Sequence, residues 1–159
     1  MSNEKRPYFR DPEESFRART ERRGECLIWT GYTNPQGYGE IRVKGRLLPA
    51  HRYAWERVNG PIPGGMVVDH KDHCDPACVE VKHLRPATIQ QNVQNRRGAQ
   101  RNNGTTGARN VYPHGPNYRV RVKKDGKMLN FGSYPTVEEA KAVAERTRKE
   151  LFGDFSGGD

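Results

Sequence analysis

The stretch DHKDHCDPACVEVKHLRPATIQQN, from Asp69 to Asn92, constrains this chain more than any other part of it, because 24 residues carry Asp69-His70, Cys74, Cys78, His83 and Asn92 together. In a chain of 159 residues with 33% hydrophobic content, apolar burial supplies only a small core, and small cores are commonly stapled. Cys74 and Cys78, with a histidine close by, have the short-range spacing of a zinc knuckle. His83 and His73 compete for the third place, and Cys26 is the obvious candidate for the fourth. Three cysteines are an odd number, no signal peptide opens the sequence, and no apolar run approaches the roughly 20 residues of a membrane span. A disulfide framework is therefore not expected. Isolated cysteines are often small buried hydrophobes, but the cysteine–histidine spacing weighs for an intracellular metal site.

The same stretch carries a second set of groups. Met66-Val67-Val68-Asp69-His70 reads as a short buried strand whose last two residues turn polar, and His83-Leu84-Arg85-Pro86 as the returning strand. Thr88 and Gln91 make a capping box, which starts a helix at Ile89 and places Asn92 in its first or second turn. The order strand, loop, strand, helix is expected to bring His70 and Asn92 into one small volume. A histidine near a strand end can stay neutral at pH 7 and take a proton from water, while Asp69 and Asn92 offer the hard oxygens that magnesium prefers. Alone, each residue means little. The constellation is a compact site for metal-assisted phosphodiester hydrolysis.

Upstream, residues 1–22 read as a polar arm, partly disordered, with room for a short helix through Glu13 to Arg22. Between Cys26 and Leu48, turn residues such as Asn34-Pro35-Gln36-Gly37 separate two or three short strands, one of them Tyr38 to Val43. In AHRYAWERV, Ala50, Tyr53, Ala54 and Val58 recur at helical spacing before Asn59-Gly60 stops the helix. Downstream, residues 98–108 form a linker. Ala108 to Val111, Tyr118 to Lys123 and Lys127 to Tyr134 then read as three strands, with turns at His114-Gly115-Pro116 and Asp125-Gly126. Thr136 and Glu139 cap a helix whose apolar face ends at Gly153, and residues 154–159 read as a disordered tail. The expected class is α+β: a lobe over residues 23–97, followed by a three-stranded antiparallel sheet with one helix over residues 109–153.

Charge points to a partner. The net charge is +9, and between Val93 and Tyr134 nine basic residues face Asp125 alone, so +8 of that excess lies in about a quarter of the chain. A polyanion is the expected ligand.

The segments CLIWTG, GYGEIRV, AHRYAWE, NGPIPGGMVVDH, CVEVKHL and ATIQQN resemble the HNH endonucleases of phages and mobile introns, which carry the ββα-metal (His-Me finger) active site. The cysteines and His83 are also similar to the zinc-binding arrangement of the His-Cys box homing endonucleases. These resemblances imply His70 as general base, Asn92 as the holder of catalytic Mg2+, and structural Zn2+ on Cys26, Cys74, Cys78 and His83. Asp69 matches a metal ligand of the HNH branch that the His-Cys branch does without. Here three residues separate Cys74 from Cys78, fewer than in many relatives, and Cys74 stands four positions after His70, more than in many relatives. The zinc loop is accordingly expected to be shaped differently.

From Gly104 to Phe152 the chain resembles the AP2-type DNA-binding domain often joined to such nucleases. In that fold the sheet enters the major groove, which makes Arg109, Tyr112, Arg119, Arg121, Lys123 and Lys127 candidate DNA contacts; Arg96 and Arg97 in the preceding basic run join them. Together these readings imply a homing-type endonuclease acting on double-stranded DNA without a membrane or small-molecule cofactor, phage-encoded and working in the bacterial cytoplasm. Monomer and homodimer both fit. Arg52 and Arg42 are candidates for clamping the phosphate, and His51 either joins the site or packs beside it. The competing expectations are a non-catalytic DNA-binding regulator and a nicking enzyme of phage genome processing.

Overall fold

Turn residues punctuate the first half of the chain so often that, among the described residues, no strand before residue 90 exceeds five residues. The computed structural model describes residues 11–71, 74–95 and 104–157. They fall into two units, Met1–Ala87 and Thr88–Asp159.

In the first unit, Asp11 caps α1 (Pro12–Ala18) by accepting from the Glu13 amide at 3.0 Å. This helix buries Phe16 to 2% exposure, with its ring 6.0 Å from Trp29 and 5.5 Å from Tyr53. The polar arm expected over residues 1–22 is therefore structured from residue 11 onward, because one aromatic anchors it; residues 1–10 lie outside the described ones. Next, β1 (Thr20–Arg23) pairs antiparallel with β2 (Cys26–Trp29), and β3 (Glu40–Val43) with β4 (Arg46–Pro49). Lys44 and Gly45 join the second pair with φ of 47° and 80°, the geometry of a turn that follows strand twist. The helix α2 (Ala50–Asn59) buries Ala50 and Ala54, although Val58, counted on its apolar face, is 64% exposed. A third pair joins β5 (Met66–His70) to β6 (Leu84–Thr88). One core unites these elements: Phe16, Ile28, Trp29, Ile41, Ala54, Val68, Val79 and Leu84 are all buried in it.

The second unit opens with α3 (Ile89–Gln94), where Thr88 and Gln91 form the reciprocal capping box that the sequence specifies. Its sheet runs β7 (Val111–His114), β8 (Asn117–Lys124), β9 (Lys127–Tyr134), each antiparallel to the next. On one face of the sheet lies α4 (Val137–Phe152), capped by Thr136; Ala140 and Ala144 meet Val111 and Val120 there. The α+β class with a three-stranded sheet and one C-terminal helix is thus what forms. Two details differ from the sequence reading. The first strand starts at Val111 rather than Ala108, because Thr106 Oγ1 accepts from the Ala108 amide and donates to the Val111 carbonyl while Asn110 turns the chain at φ 65°. Beyond α4, Gly153–Phe155 adds a 3₁₀ turn within the expected tail. Among the described residues no helix is long and apolar enough to cross a membrane.

Gly39 shows how tightly the first core closes. A Cβ there would stand 2.4 Å from Trp29 Cδ1 and 3.1 Å from the Ala50 Cβ, and Trp29 is only 2% exposed. Gly39→Ala is expected to destabilise the protein by about 1–3 kcal/mol, the usual cost of overpacking, seen as a lower denaturation midpoint with unchanged m-value.

Candidate active site and metal centre

The backbone of the Cys-containing loop is held against β2. Trp29 N donates to the Ala77 carbonyl at 2.8 Å and Val79 N to the Leu27 carbonyl at 2.7 Å, so Cys78 lies alongside Ile28. Asp75 shapes the turn before it, its carboxylate accepting from Ala77 N at 2.8 Å. Cys26 opens β2, and a single 3₁₀ turn, Val81–His83, delivers His83 just before β6. These local devices bring Cys26, Cys74, Cys78 and His83 together, with their ligand atoms all within 4.8 Å of one another. His83 Nδ1 lies 3.6 Å from Cys26 Sγ, 3.3 Å from Cys74 Sγ and 3.6 Å from Cys78 Sγ, and Cys26 Sγ stands 3.1 Å from Cys74 Sγ. Tetrahedral zinc with bonds of about 2.3 Å to sulfur and 2.0 Å to nitrogen would set sulfur–nitrogen separations of about 3.5 Å, close to those seen.

Electrostatics favours a cation in the same place. Burial pushes the Cys74 and Cys78 thiols up from their ordinary range, and the neighbouring cysteines push Cys74 further. Zinc binds the thiolates, so a bound ion would reverse that penalty. The donor set fits zinc. His73, the competing ligand, lies outside the described residues.

His70 ends β5 almost fully buried, with its Nε2 2.8 Å from the Cys78 carbonyl oxygen. A carbonyl only accepts, so Nε2 carries the proton and Nδ1 is the basic nitrogen of the neutral ring. Burial lowers the His70 pKa, more than the Cys78 carbonyl and Asp69 raise it, and the ring is neutral at pH 7. Two further rings pack here: His51 from α2, with centroids 4.9 Å apart, and Tyr38, 5.9 Å from His70 and 5.6 Å from His51. Burial, then the nearby His70 and Arg52, lowers the His51 pKa to about 3.

Asp69 is buried and ion-paired: Arg85 Nε on the neighbouring β6 lies 3.1 Å from its Oδ2. Sequence reasoning assigned neither Arg85 nor Tyr38 to the site; pairing β5 with β6 was the signal for the first. Of the two clamp candidates, Arg42 donates to the Gly45 carbonyl at 3.0 Å and Arg52 pairs with Glu56 at 3.3 Å, both on the surface. Asn92 is exposed on α3, in the second unit.

Within that unit, strand alternation sorts the basic residues. Val120 and Val122 of β8 are buried under α4, so Arg119, Arg121 and Lys123 occupy the opposite face. Their cross-strand neighbours are Tyr112 and Ser133, Asn130, and Met128, with no carboxylate among them. The Arg121 guanidinium sits 6.0 Å from the centre of the Tyr112 ring. Lys127 is exposed where β9 begins. Arg109 departs from expectation. It is 8% exposed and donates to the Gln94 and Ser156 carbonyls at 2.6 and 3.2 Å, which fastens α3 and the C-terminal turn instead of offering the guanidinium to a ligand. Arg96 and Arg97 lie outside the described residues.

The profile of the HNH endonuclease family matches residues 48–94. Among curated proteins, the chain is 33% identical to Protein 3.8 of Escherichia phage T7 over 67% of this chain and 86% of that protein. It is 42% identical to Protein 7.7 of the same phage over 44% of this chain, a match that spans only 53% of the relative's length. An uncharacterized HNH endonuclease of Acanthamoeba polyphaga mimivirus is 30% identical over 79% of this chain and 64% of its own. No solved structure matches.

Replacing a cluster ligand, as in Cys78→Ser or His83→Ala, is expected to abolish stoichiometric zinc in the purified protein, read by elemental analysis, and to lower the thermal midpoint by ten degrees or more. A structural zinc supplies on the order of 10 kcal/mol to small modules, comparable to a domain's whole stability.

Proposed function

We propose that this chain, which belongs to the HNH endonuclease family, is a metal-dependent DNA endonuclease of the homing type that hydrolyses phosphodiester bonds. The observation that carries the reading is the hydrogen bond from His70 Nε2 to the Cys78 carbonyl, which fixes the tautomer whose Nδ1 can act as base. His70 takes a proton from water at Nδ1, the resulting hydroxide attacks phosphorus, and the bond to the 3′ oxygen breaks. Asn92, with Asp69, is the proposed holder of magnesium through oxygen atoms, and a divalent ion there supplies charge neutralisation for the phosphate and the departing oxygen. Because Arg85 already occupies Oδ2 of Asp69, Asn92 is the principal ligand in this reading and Asp69 the secondary one.

The basic sheet face serves as the grip on DNA. Arg119, Arg121, Lys123 and Lys127 contact phosphates, Tyr112 packs against sugar or base, and the arrangement supports the AP2-like reading of this unit. Relatives from a phage support a phage-encoded enzyme that acts in the bacterial host. With a single site per chain, a monomer nicks one strand.

Supercoiled plasmid incubated with zinc-loaded protein and magnesium tests the catalytic reading. Nicked product is expected, lost on chelation and reduced roughly 10²- to 10⁴-fold in His70→Ala, the usual contribution of a general base. If wild type and His70→Ala both bind DNA and neither cuts with any of several divalent metals, a DNA-binding regulator is the better account. Separately, Arg121→Ala and Lys123→Ala are expected to weaken binding similarly for all sequences, each lowering the slope of log affinity against log salt by about 1.

A further inference from the structure

Among the described residues, His51 is a half-buried titratable group beside His70 that the proposed chemistry leaves unused. It occupies the second position of α2, ring to ring with His70 at 4.9 Å and 54°, with Tyr38 against both. Burial lowers its pKa to about 3, so the ring is neutral and one of its two nitrogens is an acceptor. His51 Nδ1 is buried and has no hydrogen-bond partner among the described residues. With the ring proton on Nε2, Nδ1 presents a lone pair.

A buried lone pair without a donor is costly, and a phenyl ring of similar shape would pack here without that cost. The unmatched nitrogen points to a donor that arrives with the reaction. A DNA phosphodiester is excluded, since at neutral pH it offers only acceptor oxygens. Magnesium is excluded as well, because it selects hard oxygens over imidazole. The donor the hydrolysis supplies is the attacking water. Hydrogen bonds of about 2.8 Å on either side let one water bridge two nitrogens carried on rings this close.

We propose that His51 is a second catalytic residue, whose Nδ1 accepts one O–H of the nucleophilic water and so orients it while His70 removes the other proton. The inference rests on His70 being the base. The step balances: one water O–H bond breaks with its proton passing to His70 Nδ1, the oxygen bonds to phosphorus, and the electron pair of the broken P–O bond leaves on the 3′ oxygen. The second hydrogen stays on the transferred oxygen, held by His51, which neither gains nor loses a proton. Two acceptors for two hydrogens fix the water's lone pair toward phosphorus, which one acceptor alone does not.

Four variants test this: His51→Asn, His51→Gln, His51→Phe and His70→Ala, each followed by single-turnover nicking of plasmid at saturating protein and by DNA affinity. The amide oxygen of asparagine is as many bonds from Cα as Nδ1, whereas that of glutamine matches Nε2. His51→Phe and His51→Gln are expected to lose about tenfold or more in nicking rate with unchanged DNA affinity, while His51→Asn recovers most of the rate; one hydrogen bond is worth about that factor. Thermal midpoints of Asn and Gln variants that agree with each other make the difference between them one of chemistry and not of folding. Wild-type rate in His51→Phe, or no advantage of Asn over Gln, overturns the role of His51 provided His70→Ala is inactive. An active His70→Ala overturns the base assignment itself, and with it this inference.

Discussion

Everything in the first unit that bears on chemistry hangs on Cys78. Its sulfur faces the cluster with Cys26, Cys74 and His83, its amide closes the turn begun at Asp75, and its carbonyl receives the His70 ring. One residue thus couples a structural centre to a candidate base. The coupling is rigid because Ala77 and Val79, on either side, are hydrogen-bonded to β2. A loop of this length with few apolar residues would otherwise sample many conformations, and the entropy of fixing it would fall on a small core. A metal ion held by the cluster would offset that cost directly and help a small core hold an imidazole within one tautomer.

Burial then sets the charge state of what the loop positions. His70 and His51 both sit where a proton would have to be desolvated, so burial favours the neutral form of both rings. Asp69 shares the same low-dielectric strand but keeps a counter-ion, Arg85, on the strand beside it. The result separates roles on two successive residues of β5. The histidine stays neutral and basic, and the aspartate stays paired. A charge-assisted bond to a nearly buried carboxylate is a strong one, so any group that approaches Asp69 meets a carboxylate already paired.

Much of this was legible in the sequence, and the reasons are local. Capping boxes at Thr88–Gln91 and Thr136–Glu139, the turns Lys44-Gly45 and Asp125-Gly126, and the cysteine–histidine spacing are signals carried by neighbouring residues, and the corresponding caps, turns and cluster are present. What the sequence hid depends on contacts across long separations. Phe16 looks like an isolated aromatic in a polar arm until Trp29 and Tyr53 are folded against it. Arg109 looks like one more cation in a basic run until the carbonyls of Gln94 and Ser156, 15 and 47 residues away, claim its guanidinium. Tyr38 sits in a strand-like pattern that gives no hint of the two imidazoles beside it. Composition predicts that a basic surface exists, but only strand alternation says which cations line it and which one is spent on structure.

That sorting bears on how the two units divide the work. The first concentrates groups that act over one or two ångströms: a fixed tautomer, a neutral ring pair, a buried ion pair. Its surface arginines are largely partnered by carboxylates, as with Arg17, Arg22, Arg52 and Arg57. The second carries Arg119, Arg121 and Lys123 on a sheet face whose cross-strand neighbours include no carboxylate, where attraction acts over a Debye length of about 8–10 Å and needs no fine geometry. Long-range attraction that does not depend on sequence suits the proposed search for DNA, and short-range geometry the proposed cleavage. Because the sheet cations and the His70 ring lie in separate units, affinity can change by substitution on the sheet without disturbing the protonation state of His70.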